Sequence, residues 1–250
     1  MSRLPIALAC LFPLSLPAAE PLRVGISDAL TSPYMIEDPA ADSLPRGRAI
    51  DLARTALRRC GLEARFLRQP GKRLVQNLGL HRLDSALLLS YQAPRRDLMA
   101  YPMRGGKPDA NRRMATFHYV FYVRNDSALR WDGARLSGLD GAVGINRGWS
   151  IGGDLAALGI AAENGSTIAD NFSKLKAGRI QAYALHRQAG DLYLRHHPEL
   201  QVRQLSPPLL SKTYYWVFSR DYARRHPWHA ECVWRQLPGL RARYLPEGGG

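Results

Sequence analysis

Apolar positions along this chain follow two alternating rhythms. The run "LRVGIS" (22–27) is short, apolar and closed by turn residues, the pattern of a buried strand. A long segment rich in Pro, Asp and Ser follows (28–47) and reads as a loop. In "RAIDLARTALRRCG" the apolar residues Ile50, Leu52, Ala53, Ala56 and Leu57 recur at helical spacing, and Gly61 marks a stop. "LEARFLRQ" (62–69) predicts a second strand, "GKRLVQNLGLH" (71–81) a second helix and "LDSALLLS" (83–90) a third strand. Strands alternating with helices predict a mostly parallel sheet covered by helices.

A polar loop (101–113) precedes "ATFHYVFYVR" (115–124), a long aromatic strand. A second series then begins: the strand "GAVGIN", a helix through "GGDLAALG", a helix over "IADNFSKLKAG", the strand "IQAYALH" and a helix at "QAGDLYLRHHP". After the loop "SPPLLSK" come a second aromatic strand, "TYYWVFS" (213–219), and a closing helix at "HAECVWRQLPGLRARYL". The two series share a joint. A helical run ends at Leu78 and again at Leu175, each followed by Arg and an aliphatic residue (Arg82-Leu83, Arg179-Ile180) and then a strand. The second copy carries Gln181 where the first has Asp84. The chain therefore contains two similar β/α units, with the aromatic strands where it leaves and re-enters the first. A cleft between such units is a natural small-molecule site.

Composition changes this picture in three ways. Residues 1–19 carry Arg3, a short apolar stretch and the small residues "PAA", the pattern of a secretory signal peptide and too short to span a bilayer. Cys10 lies too early, with Ala7 upstream, for a lipidation site. Export places Cys60 and Cys232 in an oxidising compartment, where they either pair across a long loop or stay as buried thiols; spacing alone leaves both open. The formal charge of +14 favours anionic partners, but the arginines are scattered and carry no nucleic-acid-binding signature.

With these pieces in order, the chain resembles the periplasmic solute-binding proteins of ABC transporters, of the type that includes the polar amino-acid binders. The resemblance runs over "GRAIDLARTALRRCGL", "LHRLDSALLLSYQAPRRDLMAYP", "GAVGINRGWS" and "NFSKLKAGRIQAYALHR". It implies an α/β protein of two lobes, 20–116 with 209–250 and 117–208, joined by two crossing hinge strands around a ligand cleft. It further implies a monomer in the periplasm that passes a small solute to a membrane permease, with no cofactor, metal or nucleic acid.

The resemblance also implies site residues. An arginine after the third strand grips the ligand carboxylate, and "APRR" places Arg96 there; a guanidinium fork matches a planar carboxylate. Ser90 and Tyr91 precede it as donors, Tyr34 covers the ligand, and Arg73 borders the cleft. In the second lobe Asn146, Arg147 and Ser150 stand at a strand-to-helix turn suited to an anionic group. The relatives carry an acid for the ligand ammonium where this chain has His186, and an aromatic residue where it has Arg48. The first departure favours an anionic or neutral solute.

Two enzymatic readings compete. "GWSIG" (148–152) matches the G-x-S-x-G turn of serine hydrolases, with Ser150 as nucleophile, Asp170 or Asp191 and His196, His197 or His226 as partners, but no upstream oxyanion segment accompanies it. A dehydratase of cyclic acids on the same fold would need a general acid or base, for which Glu163 and His186 are the candidates. A sensor acting on a separate membrane partner is a third reading. The adjacent His196 and His197 lack a third ligand at a metal-binding spacing.

Overall fold

A computed structural model describes residues 20–28, 34–36 and 45–245. The predicted signal segment (1–19) and most of the first loop lie outside the described residues. The first unit contains β1 (Leu22–Ser27), α1 (Arg48–Arg59), β2 (Ala64–Gln69), α2 (Gly71–Gly79) and β3 (Ser85–Ser90). The long strand β4 (Ala115–Arg124) leads into β5 (Val143–Asn146), α3 (Ile151–Ala157), β6 (Ala162–Gly165), α4 (Ile168–Lys176), β7 (Ala182–His186) and α5 (Arg187–His196). The chain returns through β8 (Val202–Gln204) and the long strand β9 (Leu210–Ser219), then α6 (Arg220–Arg225) and α7 (Pro227–Tyr244).

The main sheet runs β6-β5-β7-β4-β9-β3-β1-β2. Its two ends are built alike. β1 pairs in parallel with β2 and β3, and β5 in parallel with β6 and β7. Each parallel trio is completed by one long antiparallel strand: β9 beside β3, with Tyr214 opposite Ser90, and β4 beside β7, with Tyr119 opposite His186. The two long strands meet each other only near their starts, Ala115–Tyr119 against Tyr214–Leu210. They therefore cross between the halves, and the sheet passes from one separately covered trio to the other through this crossing.

Each half has a core on both faces of its trio. In the first, α1 and α7 cover Val24, Ile26 and Trp216, while α2 sets Leu74 and Leu78 against Leu83, Ala86 and Val217. In the second, Ile151 and Leu155 of α3 pack with Val143, Ile145 and Phe121, and Phe172 and Leu175 of α4 pack with Tyr183 and Leu185 on the other side. β3 and β7 are buried throughout, which explains their continuous apolar sequences: both faces of a parallel strand are covered. Cys60 and Cys232 form a disulfide that ties the end of α1 to α7 across 172 residues of sequence.

The repeated joint has a structural counterpart. Each copy leaves its helix through a left-handed residue, His81 (φ 56°) or Gly178 (φ 71°), and then buries its aliphatic residue, Leu83 or Ile180. The next residue secures the neighbouring strand. Asp84 accepts from the Arg23 backbone N–H (2.8 Å) and from the Arg23 guanidinium (2.7 and 3.0 Å). Gln181 Oε1 accepts from the backbone N–H groups of Asp140 (3.0 Å) and Gly141 (2.9 Å), just before β5, while its amide donates to the Asp140 carboxylate. An acid suits the first joint because its partner is a cation. An amide suits the second because it must accept from backbone and donate to an acid.

Sequence patterning located β1 and β4 residue for residue, but missed β6, β8 and α6. β6 is a polar edge strand (AENG), and α6 is a single short turn capped by Ser219 Oγ on the Tyr222 N–H. β9 begins at Leu210, so three residues assigned to a loop are strand. Among the described residues, no helix is long and apolar enough to cross a membrane, and no three His, Cys, Asp or Glu side chains cluster as metal ligands.

Candidate ligand cavity

Where the carboxyl ends of the two trios face each other, a cavity of about 80 Å³ lies between the halves. That is room for roughly three waters at a liquid volume of about 30 Å³ each. Strand carboxyl ends are where ligands of open α/β sheets bind. The first half contributes Ser27, Tyr34, Gly71, Val75, Leu88, Leu89, Ser90 and Arg95. The crossing strands contribute Phe117, Tyr119 and Tyr214, and the second half Gly148, Trp149, Ser150, His186 and Ala189.

β3 reaches the cavity through an irregularity. Leu88 adopts φ 54°, and the pairing of β9 with β3 shifts between Tyr215 and Val217. Left-handed backbone at leucine is strained and is held only by its surroundings. Three consecutive residues, Leu88, Leu89 and Ser90, consequently border the cavity, which the simple alternation of a strand would not give.

Arg95 sits in the one-turn 3₁₀ segment Ala93–Asp97 after β3. Its Nη1 donates to the Ser90 carbonyl (3.2 Å), which also accepts from Tyr101 OH (3.0 Å). A guanidinium has five donors, so this anchor leaves others to address a ligand. Among the described residues, Arg95 is the one cation lining the cavity, and no carboxylate lines it.

The second half supplies an aromatic wall centred on His186. Its ring stacks on Trp149 (centroids 4.6 Å, planes 26° apart), meets Tyr119 edge-on at 4.3 Å and lies 4.6 Å from Phe117. Its Nε2 lies 3.4 Å from Tyr214 OH, which bonds Tyr119 OH at 2.9 Å. Burial, with a smaller contribution from the charge of Lys212, brings the imidazole pKa down to about 3, so His186 is neutral at ordinary pH. Burial likewise raises the phenols of Tyr34 and Tyr119, which stay protonated.

The halves also touch directly. Ser90 Oγ donates to Ser150 Oγ (3.3 Å), and Lys212 on β9 donates to Ser150 Oγ (3.0 Å) while pairing with Asp154 of α3.

Of the residues expected from sequence, Tyr34, Ser90, Ser150 and His186 line this cavity. Arg96 does not. It is exposed beside His81, Arg220 and Asp221, with its carbonyl taken by Arg220 Nη1 (2.7 Å). In a 3₁₀ turn neighbouring residues project about 120° apart, so the cavity receives Arg95 and solvent receives Arg96. Tyr91 packs edge-on against Tyr101 at 5.2 Å, beside the cavity. Asn146 is buried but occupied, accepting from Asn171 Nδ2 (2.9 Å) and Tyr183 OH (2.6 Å). Arg147 and Arg73 are exposed; the turn presents Gly148 to Ser150 instead, and α2 presents Gly71 and Val75. Trp149 and the ring pattern of β4 were visible in sequence only as strand and turn residues. The alternation that puts Phe117 and Tyr119 on one face was the available signal.

The hydrolase triad is not assembled. Ser150 bonds Ser90 and Lys212, and Lys212 pairs with Asp154. Asp170 accepts from the Ser166 N–H, Asp191 accepts from Tyr122 OH, His197 pairs with Glu199, and His226 stacks on His229. His196 is exposed at the end of α5. Glu163 pairs with Lys174 (3.0 Å) and does not line the cavity.

No family model and no curated protein matches this chain by sequence. Solved structures do match its shape. A mutant of ArgBP from T. maritima superimposes with a TM-score of 0.68 at 20% identity, over 90% of this chain and 95% of that one. A histidine kinase sensor domain with similarity to periplasmic binding proteins gives 0.71 at 19% identity, over 90% and 96%. This chain has the type II periplasmic-binding-protein fold. The GluR0 ligand-binding core from Nostoc punctiforme, in complex with L-glutamate, gives 0.69 at 14% identity, over 91% and 100%. In a binding-protein fold of this type, the interlobe position of the cavity follows from the crossing of β4 and β9 described above.

Proposed function

We propose that this protein is an exported solute-binding protein that captures a small polar or anionic solute, amino-acid-like or an organic acid, and delivers it to an ABC-type permease. The observation that carries the reading is the cavity between the two halves, with Arg95 as its lining cation among the described residues. A guanidinium fork in a cavity walled largely by rings and aliphatic side chains favours a carboxylate, which it can meet with paired charge-assisted hydrogen bonds. Neighbours of the same fold point the same way: ArgBP has been captured with arginine, and ArtJ is an arginine-, lysine- and histidine-binding protein.

In this reading the protein works as a monomer in the periplasm after loss of residues 1–19. The lobes are 20–116 with 209–250 and 117–208, and they close by hinge motion at the crossing strands. Arg95 takes the role that sequence gave to Arg96; Ser90, Ser150, Tyr34 and His186 complete the lining, and no residue acts as a catalyst. The test is a thermal-shift screen of amino acids, organic acids and inorganic anions, since a ligand bound only by the folded state raises the melting temperature. At least one small anion or zwitterion raises it in a saturable way. A panel without any saturable shift refutes the reading.

The match to a kinase sensor domain supports a second reading, in which the liganded protein is read by a separate membrane partner instead of a permease. Pull-down from detergent-solubilised membranes with and without ligand separates the two by the partner recovered.

A further inference from the structure

We propose that the cavity takes a monocarboxylate with an apolar body and no ammonium group, Arg95 gripping the carboxylate and the aromatic wall around His186 taking the body. This rests on the solute-binding reading and narrows it.

The argument begins with charge. Arg95 is one guanidinium, so it complements one carboxylate, and its fork favours that planar group over a spherical anion. A primary ammonium on the same ligand would bring three donors that need acceptors once desolvated. Among the described residues no carboxylate lines the cavity to meet it, and the nearby Asp154 is bound to Lys212. The wall around His186 is poorly solvated for charge: burial, with a smaller contribution from Lys212, keeps the proton off the imidazole. An ammonium placed against the same ring would meet the same two penalties.

The wall is instead suited to hydrocarbon. Tyr34, Phe117, Tyr119, Trp149, His186 and Tyr214 surround the cavity with ring faces and edges, joined on the other side by Val75, Leu88 and Leu89. Such surfaces gain from burying apolar area without needing a polar partner on the ligand. Rings can also hold a cation, and glycine betaine in the experiment below tests that alternative. The cavity volume of about 80 Å³ limits the body to a few heavy atoms beyond the carboxylate.

The experiment is titration calorimetry of the wild-type protein with matched ligands small enough for the cavity: butanoate, L-2-aminobutyrate and butanamide; 3-methylbutanoate and L-valine; and glycine betaine for the quaternary ammonium case. We expect at least one free acid to bind at least tenfold more tightly than its amino-acid and amide counterparts, and to lose at least tenfold in Arg95→Gln. In His186→Asp the amino acid gains on the acid, because a carboxylate then faces the ammonium. Equal or tighter binding of an amino acid, of the amide or of glycine betaine overturns the assignment while leaving the solute-binding reading in place. Failure of both acids to bind overturns it as well. Absence of any hit in the broad thermal-shift screen removes the underlying reading too, so the two failures are distinguishable.

Discussion

His186 lies flat against Trp149, ring centroids 4.6 Å apart, and both residues line the cavity between the halves. The pair converts a titratable side chain into part of an apolar wall. Burial disfavours the imidazolium, and the folded-state pKa falls from the ordinary 6.5 to about 3.

A pH dependence follows. Above pH 6.5 neither folded nor unfolded His186 carries a proton, and the group contributes nothing. As pH falls below 6.5 the unfolded chain binds a proton that the folded protein refuses, so stability declines. The decline continues towards pH 3, at up to about 1.4 kcal/mol per pH unit from this one group. Denaturant unfolding measured between pH 7 and 4 shows this slope, and His186→Phe flattens it. An unchanged slope in that variant would mean the imidazole is hydrated.

The Cys60–Cys232 disulfide closes a loop of 172 residues. On the chain-entropy account, such a closure stabilises by about 5 kcal/mol. Reduction with dithiothreitol, or the double variant Cys60→Ser with Cys232→Ser, should lower the melting temperature by many degrees. Mass spectrometry of the exported protein should find no free thiol at either position.

Asp84 and Gln181 do the same work in the two halves with different chemistry. Asp84→Ala strips three hydrogen bonds from Arg23 and leaves its backbone N–H without its partner. The expected cost is about 1–3 kcal/mol, and Gln181→Ala, at a more exposed site, costs less. Chemical denaturation of both variants measures the difference. A reversed order would show that the cap on β5 matters more than the one on β1.

Among the described residues, Ser150 bonds Ser90 and Lys212 and no imidazole bonds it, the geometry of an interlobe contact. A fluorophosphonate probe should leave the protein unlabelled over hours at pH 8. Labelling that is lost in Ser150→Ala would restore the hydrolase reading.

Much of the fold was legible because its strands are simple in pattern. β3 and β7 are buried on both faces and spell this out as unbroken apolar runs, and the crossing strands announce themselves by aromatic content. The polar edge strand β6 carries no such signal, since only one flank of an edge strand needs partners. The site was harder. The Arg95-Arg96 pair is one residue apart, and the direction each takes is set by a 3₁₀ turn that sequence does not mark. Asn146 has the composition of a ligand donor but spends it on Asn171 and Tyr183, partners from elements distant in the chain. Trp149, Phe117 and Tyr214 converge only because β4 and β9 cross, a relationship that no local pattern records.

The most direct test of the account is the affinity of Arg95→Ala beside Arg96→Ala for whichever ligand the screen identifies. Losing a guanidinium from a desolvated carboxylate pair costs about 2–5 kcal/mol, a loss of roughly thirtyfold or more, whereas a solvent-exposed arginine costs little. Calorimetry should therefore find Arg95→Ala severely weakened and Arg96→Ala indistinguishable from wild type. Wild-type affinity in folded Arg95→Ala protein would contradict the claim that this cavity holds its ligand through Arg95.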